Sequence, residues 1–171
     1  PKPKNYYGLS KLLAEKYLYT FYKQKKGRVK IDILRLPRVI DLSTKNLIYN
    51  LMLNIKKNKK IFVTNFKERF HFIYIDDLLK ILVNLLDKKS RTFKIIDIGT
   101  KDRKSYSIYN LINIISKVYK VKYKASARNY KYTHNPENIK LNYKYSYNTL
   151  RERPTRTVKD IIKLIKEKHG F

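Results

Sequence analysis

The chain has 171 residues, 43% hydrophobic and 32% charged, which is enough for one domain with an apolar core and disfavours a disordered tail. Lysine and arginine number 41 against 13 acidic residues, a net charge of +28. The absence of cysteine excludes disulfides and thiol catalysis, and three dispersed histidines do not suggest a metal cluster. No apolar run is long enough to span a membrane and no secretory leader opens the chain, which predicts a cytoplasmic protein. The first residue is Pro1 rather than methionine, which suggests a fragment.

The positive charge has two interpretations. It favours a polyanionic partner. However, basic residues are spread from Lys2 to Lys168, and amino acids with AT-rich codons, namely lysine, isoleucine, tyrosine and asparagine, supply nearly half of the chain. A biased base composition therefore explains many solvated lysines equally well.

Periodicity and turn residues predict the elements in chain order. The pattern predicts a helix over Asn5 to Lys26, a strand over Val29 to Leu36, a helix over Thr44 to about Asn58, and short strands over Lys60 to Thr64 and Phe70 to Ile75. It continues with a helix capped by Asp76, a strand over Thr92 to Ile98, a helix opened by Ser105 or Ser107, a tyrosine-rich stretch over Tyr123 to Asn148, and a helix over about Val158 to Lys168. The alternation of helices and strands predicts an α/β fold. In the first helix, apolar residues at three- and four-residue spacing predict an amphipathic surface: Leu9, Leu12, Leu13, Tyr17, Leu18 and Phe21.

The first helix also carries a candidate catalytic pair. Tyr7 and Lys11 are four residues apart, which places a phenol and an ammonium on one helical face. A cation beside a phenol favours the phenolate, so the pair can serve as a general acid or base. The same spacing begins again at Tyr19 and at Tyr22, so the spacing alone also fits an ordinary surface pair.

Tyr7-Gly8-Leu9-Ser10-Lys11 is the first of a series of segments along the chain, and Leu34 to Val39 is the second. The later segments are Ile61-Phe62, Phe72 to Leu78, Ile95 to Thr100, Ser107 to Leu111, Ala127-Arg128 and Pro154 to Ile165. In this order, the segments resemble the extended short-chain dehydrogenases/reductases, the NAD-dependent nucleotide-sugar epimerase/dehydratase family. The first segment resembles the family's catalytic YxxxK helix, and the second resembles the strand and turn that follow it.

The resemblance implies the carboxy-terminal half of such an enzyme. Members are about twice as long and open with a glycine-rich turn that holds the dinucleotide pyrophosphate, and this chain has no such turn. The implied fold is the second half of a Rossmann-like parallel sheet (1–42 and 70–100) with a small α/β substrate-binding region (43–69 and 101–171) in one partial domain. The family's usual serine or threonine upstream of the tyrosine would also precede Pro1.

The resemblance implies roles for individual residues. Tyr7 would move the proton during hydride transfer with Lys11 assisting, and both, together with Pro37, would contact NAD or NADP. A nucleoside-diphosphate sugar is the implied substrate, and no metal is implied. The implied substrate-binding residues are Arg38, Phe62, Arg69 and Arg128.

Arg38 and Arg69 depart from the family pattern. Arg38 stands where many relatives carry asparagine, and Arg69 falls one residue before the usual arginine, which Phe70 replaces.

Several functions stay open. Epimerase, dehydratase and 4-keto reductase share the proposed first step. A non-catalytic relative, structural or nucleic-acid-binding, is the further alternative, although the scattered tyrosines disfavour nucleic acid. Relatives also predict a homodimer through the helix over Asn5 to Lys26.

Overall fold

The computed structural model describes residues 3, 5–57, 61–63, 68–87, 90–121, 123, 125–127, 141 and 143–170. The helices are α1 (Tyr6–Gln24), α2 (Leu47–Lys56), α3 (Ile75–Asp87), α4 (Ile108–Tyr119), α5 (Tyr143–Thr149) and α6 (Val158–Lys168). The strands are β1 (Ile31–Arg35), β2 (Arg38–Ile40), β3 (Ile61–Val63), β4 (Arg69–Phe70), β5 (Phe72–Tyr74), β6 (Phe93–Asp97), β7 (Tyr106–Ser107) and β8 (Ala125–Ala127). Helices and strands alternate along the chain, which confirms the predicted α/β class.

The parallel pair β1 and β6 separates two layers of helices. Successive side chains of a strand point to opposite faces. On one face, the ring of Phe93 meets the rings of Tyr19 and Tyr22 from α1, at centroid distances of 5.1 and 5.7 Å. On the other face, Ile96 is fully buried in a cluster with residues of α3 and α5. This part of the chain is therefore a helix, sheet and helix sandwich.

A second and larger apolar cluster lies among α2, α4 and α6. Three short strand pairs accompany it: β2 with β5 and β3 with β8 are parallel, and β4 with β7 is antiparallel. Ile75, at the start of α3, packs against both clusters and so joins the two parts. The division into a sheet region and a substrate-binding region stays a prediction.

Short polar side chains define where the helices begin. Asn5 accepts a hydrogen bond from the Gly8 amide at 2.7 Å and caps α1. Ser107 caps α4 and shares a reciprocal capping box with Asn110, which settles the choice between Ser105 and Ser107. Thr157 caps α6 in the same way. Both ends of α6 fall where the sequence predicts them.

The start of α3 differs from the prediction. The helix begins at Ile75, so Asp76 lies in the first turn rather than at the cap. The next residue, Asp77, is 2% exposed and binds a distant segment. Its carboxylate accepts hydrogen bonds from the amide and hydroxyl of Thr155, at 3.1 and 2.8 Å, and from the amide and guanidinium of Arg156, both at 3.1 Å. Asp77 therefore fastens the segment before α6 to α3.

The apolar stripe predicted on α1 is present but uncovered. No residue of α1 is buried, and Leu9, Leu13 and Tyr17 are 42%, 59% and 72% exposed. Leu12 and Leu18 are half-buried. The outer face of α1 is therefore an apolar surface without a partner among the described residues. Among those residues, no helix combines the length and the apolar character needed to cross a bilayer.

Candidate active site

The first turns of α1 present Tyr7 and Lys11 to solvent. The Tyr7 side chain is 73% exposed and Lys11 is also exposed. The Lys11 ammonium lies 5.3 Å from the centroid of the Tyr7 ring, within the range of a cation–π contact. The structure therefore brings the predicted pair together at an accessible position, where a ligand can reach both groups.

An ion pair that sequence reasoning missed fixes α1 on the sheet. Arg35, at the end of β1, donates to both carboxylate oxygens of Glu15 at 2.8 and 2.7 Å. A further guanidinium nitrogen lies 3.8 Å from Asp97, the register partner of Arg35 on β6. Glu15 follows Lys11 by one helical turn, so this bidentate contact sets the position of the Tyr7–Lys11 pair relative to both strands. The spacing from Glu15 to Arg35 carries no local signal, because the contact joins different elements.

The Glu15–Arg35 pair should make stability depend on acid pH. The hydrogen bonds from Arg35 hold the pKa of Glu15 below its usual value, although burial opposes this. The folded pKa is thus depressed, so the pair stabilises the fold above the unfolded pKa and loses this effect as pH falls through the folded pKa. We expect Glu15→Gln to lower the free energy of unfolding by about 1–2 kcal/mol at pH 7. Urea titrations should show that the difference in free energy of unfolding between this variant and wild type shrinks as the pH is lowered toward 3.

The exposed residue Glu152 supplies the control for that measurement. Glu152→Gln removes the same charge at a position for which we expect little effect on unfolding. Equal losses of stability in both variants would contradict the assigned role of Glu15.

Pro37 and Arg38 follow the carboxyl end of β1. The Arg38 side chain is exposed, and its guanidinium carbon lies 4.7 Å from the centroid of the Phe70 ring. Its amide donates to the carbonyl of His71 at 3.2 Å. Arg38 is therefore held against the segment that forms β4 and β5, three residues beyond the Arg35 that positions α1. This arrangement leaves an accessible guanidinium at the carboxyl edge of the parallel strands, the edge where α/β sheets bind ligands.

The other predicted substrate contacts are less defined. Arg69 is exposed and donates through Nε and Nη2 to the side chain and carbonyl of Ser105, at 2.7 and 2.6 Å. Two of its donors are thus used within the protein. Phe62 lies in β3 and pairs with Ser126. Arg128 lies outside the described residues. The substrate roles of these three residues stay predictions.

A polar and aromatic network beside Arg38 has no local sequence signal. The hydroxyl of Tyr143 lies 2.6 Å from Nδ1 of His71, and burial raises the pKa of Tyr143. The neighbouring Tyr147 donates to the carbonyl of Gly99 at 2.9 Å, and burial raises its pKa to about 12. The guanidinium of Arg103 covers the Tyr147 ring at 4.6 Å. The network joins α5 to the loop after β6, and it shows that His71 has a structural partner.

Parallel strands between helical layers, with a Tyr-x-x-x-Lys helix on one face, define a Rossmann-like α/β protein. A sequence model of the NAD dependent epimerase/dehydratase family matches residues 1–99, more than half of the chain. The chain therefore belongs to this family. No curated protein sequence matches the chain closely enough to count as a relative.

Solved structures share the fold at low sequence identity. A UDP-glucose 4-epimerase from Thermotoga maritima with UDP-glucose is 17% identical with a TM-score of 0.77, over 99% of this chain and 55% of that one. A UDP-glucuronic acid 4-epimerase from Bacillus cereus with UDP-glucuronic acid and NAD is 20% identical with a TM-score of 0.77, over 100% and 55%. RMD from Pseudomonas aeruginosa, complexed with NADPH, is 16% identical with a TM-score of 0.74, over 98% and 56%. The chain spans just over half the length of these proteins, and the match confirms a partial Rossmann-like fold.

Proposed function

We propose that the chain is the Tyr-x-x-x-Lys-bearing part of an NAD(P)-dependent nucleotide-sugar epimerase or dehydratase. The observation that carries the proposal is the exposed Tyr7–Lys11 pair on a helix that Glu15 and Arg35 fix to the parallel strands. Family membership supports the reaction class, and relatives solved with UDP-sugars and NAD support the substrate class. A 4-keto reductase is the alternative within the same family, because it uses the same pair. The cytoplasmic location stays a prediction.

The residues present fit one end of NAD or NADP. The Lys11 ammonium is exposed and can donate hydrogen bonds to ribose hydroxyls, and Pro37 lies at the end of the neighbouring strand. The pyrophosphate end is different, since the four glycines are Gly8, Gly27, Gly99 and Gly170, and no glycine-rich turn can be formed from them. Dinucleotide binding in the family's manner therefore requires a second half that holds the pyrophosphate.

The chemistry assigned to this chain is proton movement at one sugar hydroxyl. NAD(P), when bound, supplies the hydride acceptor. The Tyr7 oxygen, as phenolate, takes the hydroxyl proton, and the Lys11 ammonium stabilises the negative charge on that oxygen. Arg38 presents guanidinium donors suited to the substrate diphosphate. The further substrate contacts we propose are Phe62, Arg69 and Arg128.

The uncovered face of α1 supports a second part of the proposal, that the complete protein is a homodimer. Tyr6 is 91% exposed, and Leu9, Leu13 and Tyr17 continue the same stripe at three- and four-residue spacing. An exposed apolar stripe of this kind is typical of a surface that is covered in the assembled protein. A second copy of α1 is the partner we propose for it.

The function is tested by binding. The coding sequence upstream of Pro1 should encode a strand, a glycine-rich turn and a helix, and the joined protein should bind NADH saturably. Nicotinamide fluorescence measures this binding, and addition of a UDP-sugar should strengthen it. The present chain alone, which lacks the turn, is the matched control and should show little binding. A joined protein that binds neither NADH nor NADPH would overturn the proposal.

A further inference from the structure

A row of lysines runs along α6 beside the second apolar cluster. One face of α6 is fully buried and consists of Val158, Ile161, Ile162 and Ile165. Lys159, Lys163 and Lys166 lie next to that face at spacings of four and three residues, so they point to the same side of the helix. Lys117, near the carboxyl end of α4, faces them across a groove.

The groove carries an excess of positive charge. It has a volume of about 550 Å³ and is lined by these four lysines with Val118, Glu167 and Gly170. Four ammonium groups thus face one carboxylate. Asp160 is close enough to Lys163 for the lysine to contribute to lowering its pKa, but its carboxylate already accepts hydrogen bonds from the amide and hydroxyl of Thr157 at 2.9 and 2.7 Å. The Asp160 carboxylate therefore serves the helix cap.

The arrangement places like charges close together on one helix. Like charges three or four residues apart destabilise a helix by roughly 0.2–0.5 kcal/mol per pair. An anion bound between the lysines would offset this repulsion. Lys166 is also held in place, because its ammonium lies 3.3 Å from the carbonyl of Val118 and 5.0 Å from the centroid of the Tyr119 ring. A positioned ammonium loses less side-chain entropy when an anion binds.

The dimensions indicate a small anion. From Lys159 to Lys166 the helix rises about 10 Å, whereas one turn of duplex DNA extends about 34 Å. The groove volume lies within the range of about 300–1,000 Å³ that is typical of small-molecule sites. Lysine ammonium groups act as point charges that suit phosphate oxygens.

We propose that this lysine groove between α4 and α6 binds a small polyphosphate anion, such as tripolyphosphate or the phosphate chain of a nucleotide. The site contains none of the residues assigned to sugar chemistry, so it goes beyond the proposed function. Binding would hold α4 and α6 together at the carboxyl end of the chain.

Calorimetric titration with tripolyphosphate tests the proposal on the full chain at about 0.1 M ionic strength, where charges are screened beyond about 10 Å. The variant Lys159→Gln/Lys163→Gln/Lys166→Gln should bind at least about tenfold more weakly, a loss of about 1.4 kcal/mol. The matched control is Lys16→Gln/Lys23→Gln/Lys25→Gln, which removes the same charge from α1 and its carboxyl cap and should bind nearly as well as wild type. Equal weakening in both would show that net charge alone drives binding, and would overturn the site.

Amide chemical shifts of the unmutated chain provide a readout that does not depend on the folding of any variant. Tripolyphosphate should shift residues 117–121 and 158–170. Shifts confined to Arg38 and Arg69 would overturn the proposal and place the anion at the sugar-nucleotide site. Arg38→Ala should retain tripolyphosphate binding, which separates this proposal from the proposed function. If the chain binds a single-stranded oligonucleotide of 20 nucleotides but does not bind tripolyphosphate, the groove is a nucleic-acid surface and the proposal is overturned.

Discussion

Tyr7→Phe should lower the turnover of the complete enzyme by about 10²-fold or more, because general acid–base catalysis by a positioned side chain contributes about 10²–10⁴-fold. The substitution removes the hydroxyl that we propose takes the sugar proton, and it keeps the aromatic ring. Since that side chain is 73% exposed and packs in no core, we expect circular dichroism and thermal unfolding to stay unchanged. Substrate binding should change little, so the loss should appear in kcat rather than KM.

The chain offers a closely matched control for this measurement. Tyr19 has a lysine four residues later, and the Lys23 ammonium lies 5.6 Å from its ring centroid, nearly the distance of the Tyr7 pair. Tyr19→Phe therefore removes a hydroxyl from the same local motif away from the proposed site, and turnover should be close to wild type. Near-normal turnover of Tyr7→Phe would refute the catalytic assignment.

Asp77→Ala should be the most destabilising single substitution considered, at about 3–5 kcal/mol. The carboxylate is 2% exposed and accepts four hydrogen bonds from Thr155 and Arg156. Its removal leaves two backbone amides without an acceptor and a guanidinium without its closest counter-charge. Urea unfolding followed by circular dichroism measures the effect. Asp77→Asn, which keeps the shape and one acceptor oxygen, should lose less.

The neighbouring residue provides the control. Asp76 lies beside Asp77 on α3, and its carboxylate is 3.8 Å from the guanidinium of Arg156. Half of that side chain is exposed, so the ion pair is screened by solvent. Asp76→Ala should therefore cost less than about 1 kcal/mol. Comparable losses for both aspartates would show that the segment before α6 is held by other contacts.

Local signals predicted the helices well. Thr157 and Ser107 stand where capping residues are expected, and the apolar spacing that follows each of them continues to the end of its helix. The strand after α1 is also predicted by a local signal, the alternation of apolar residues from Val29. The predicted range includes Val29, whereas β1 begins at Ile31. The signals for these elements lie within a few consecutive residues, so the elements can be predicted from the sequence.

Elements that depend on distant partners were missed. The strand β2 has three residues directly after Pro37, and its pairing with β5 joins segments more than 30 residues apart. The helix α5 consists mainly of tyrosine, serine and asparagine, which are weak helix formers, and it is held by packing of Tyr147 against the loop after β6. Tertiary contact overrides local propensity at both places.

The contacts of the candidate site are likewise of two kinds, local and long-range. The four-residue spacing of Tyr7 and Lys11 is local, and the structure places the two side chains in contact. The bidentate bond between Glu15 and Arg35 spans 20 residues, and the bond between His71 and Tyr143 spans 72. Neither could be predicted from spacing, because each depends on how the helices lie on the strands.

The hydrogen bonds to Asp77 also constrain when the native packing around α3 can form during synthesis. The amides that donate to this carboxylate belong to Thr155 and Arg156, which follow Asp77 by 78 and 79 positions. In a growing polypeptide, α3 therefore carries a hydrated, unpaired carboxylate in its first turn until Thr155 and Arg156 have left the ribosome. The interior around α3 can close only then, since burying the charge earlier would leave it without donors. The packing around α3 should thus form only after Thr155 and Arg156 have been synthesised.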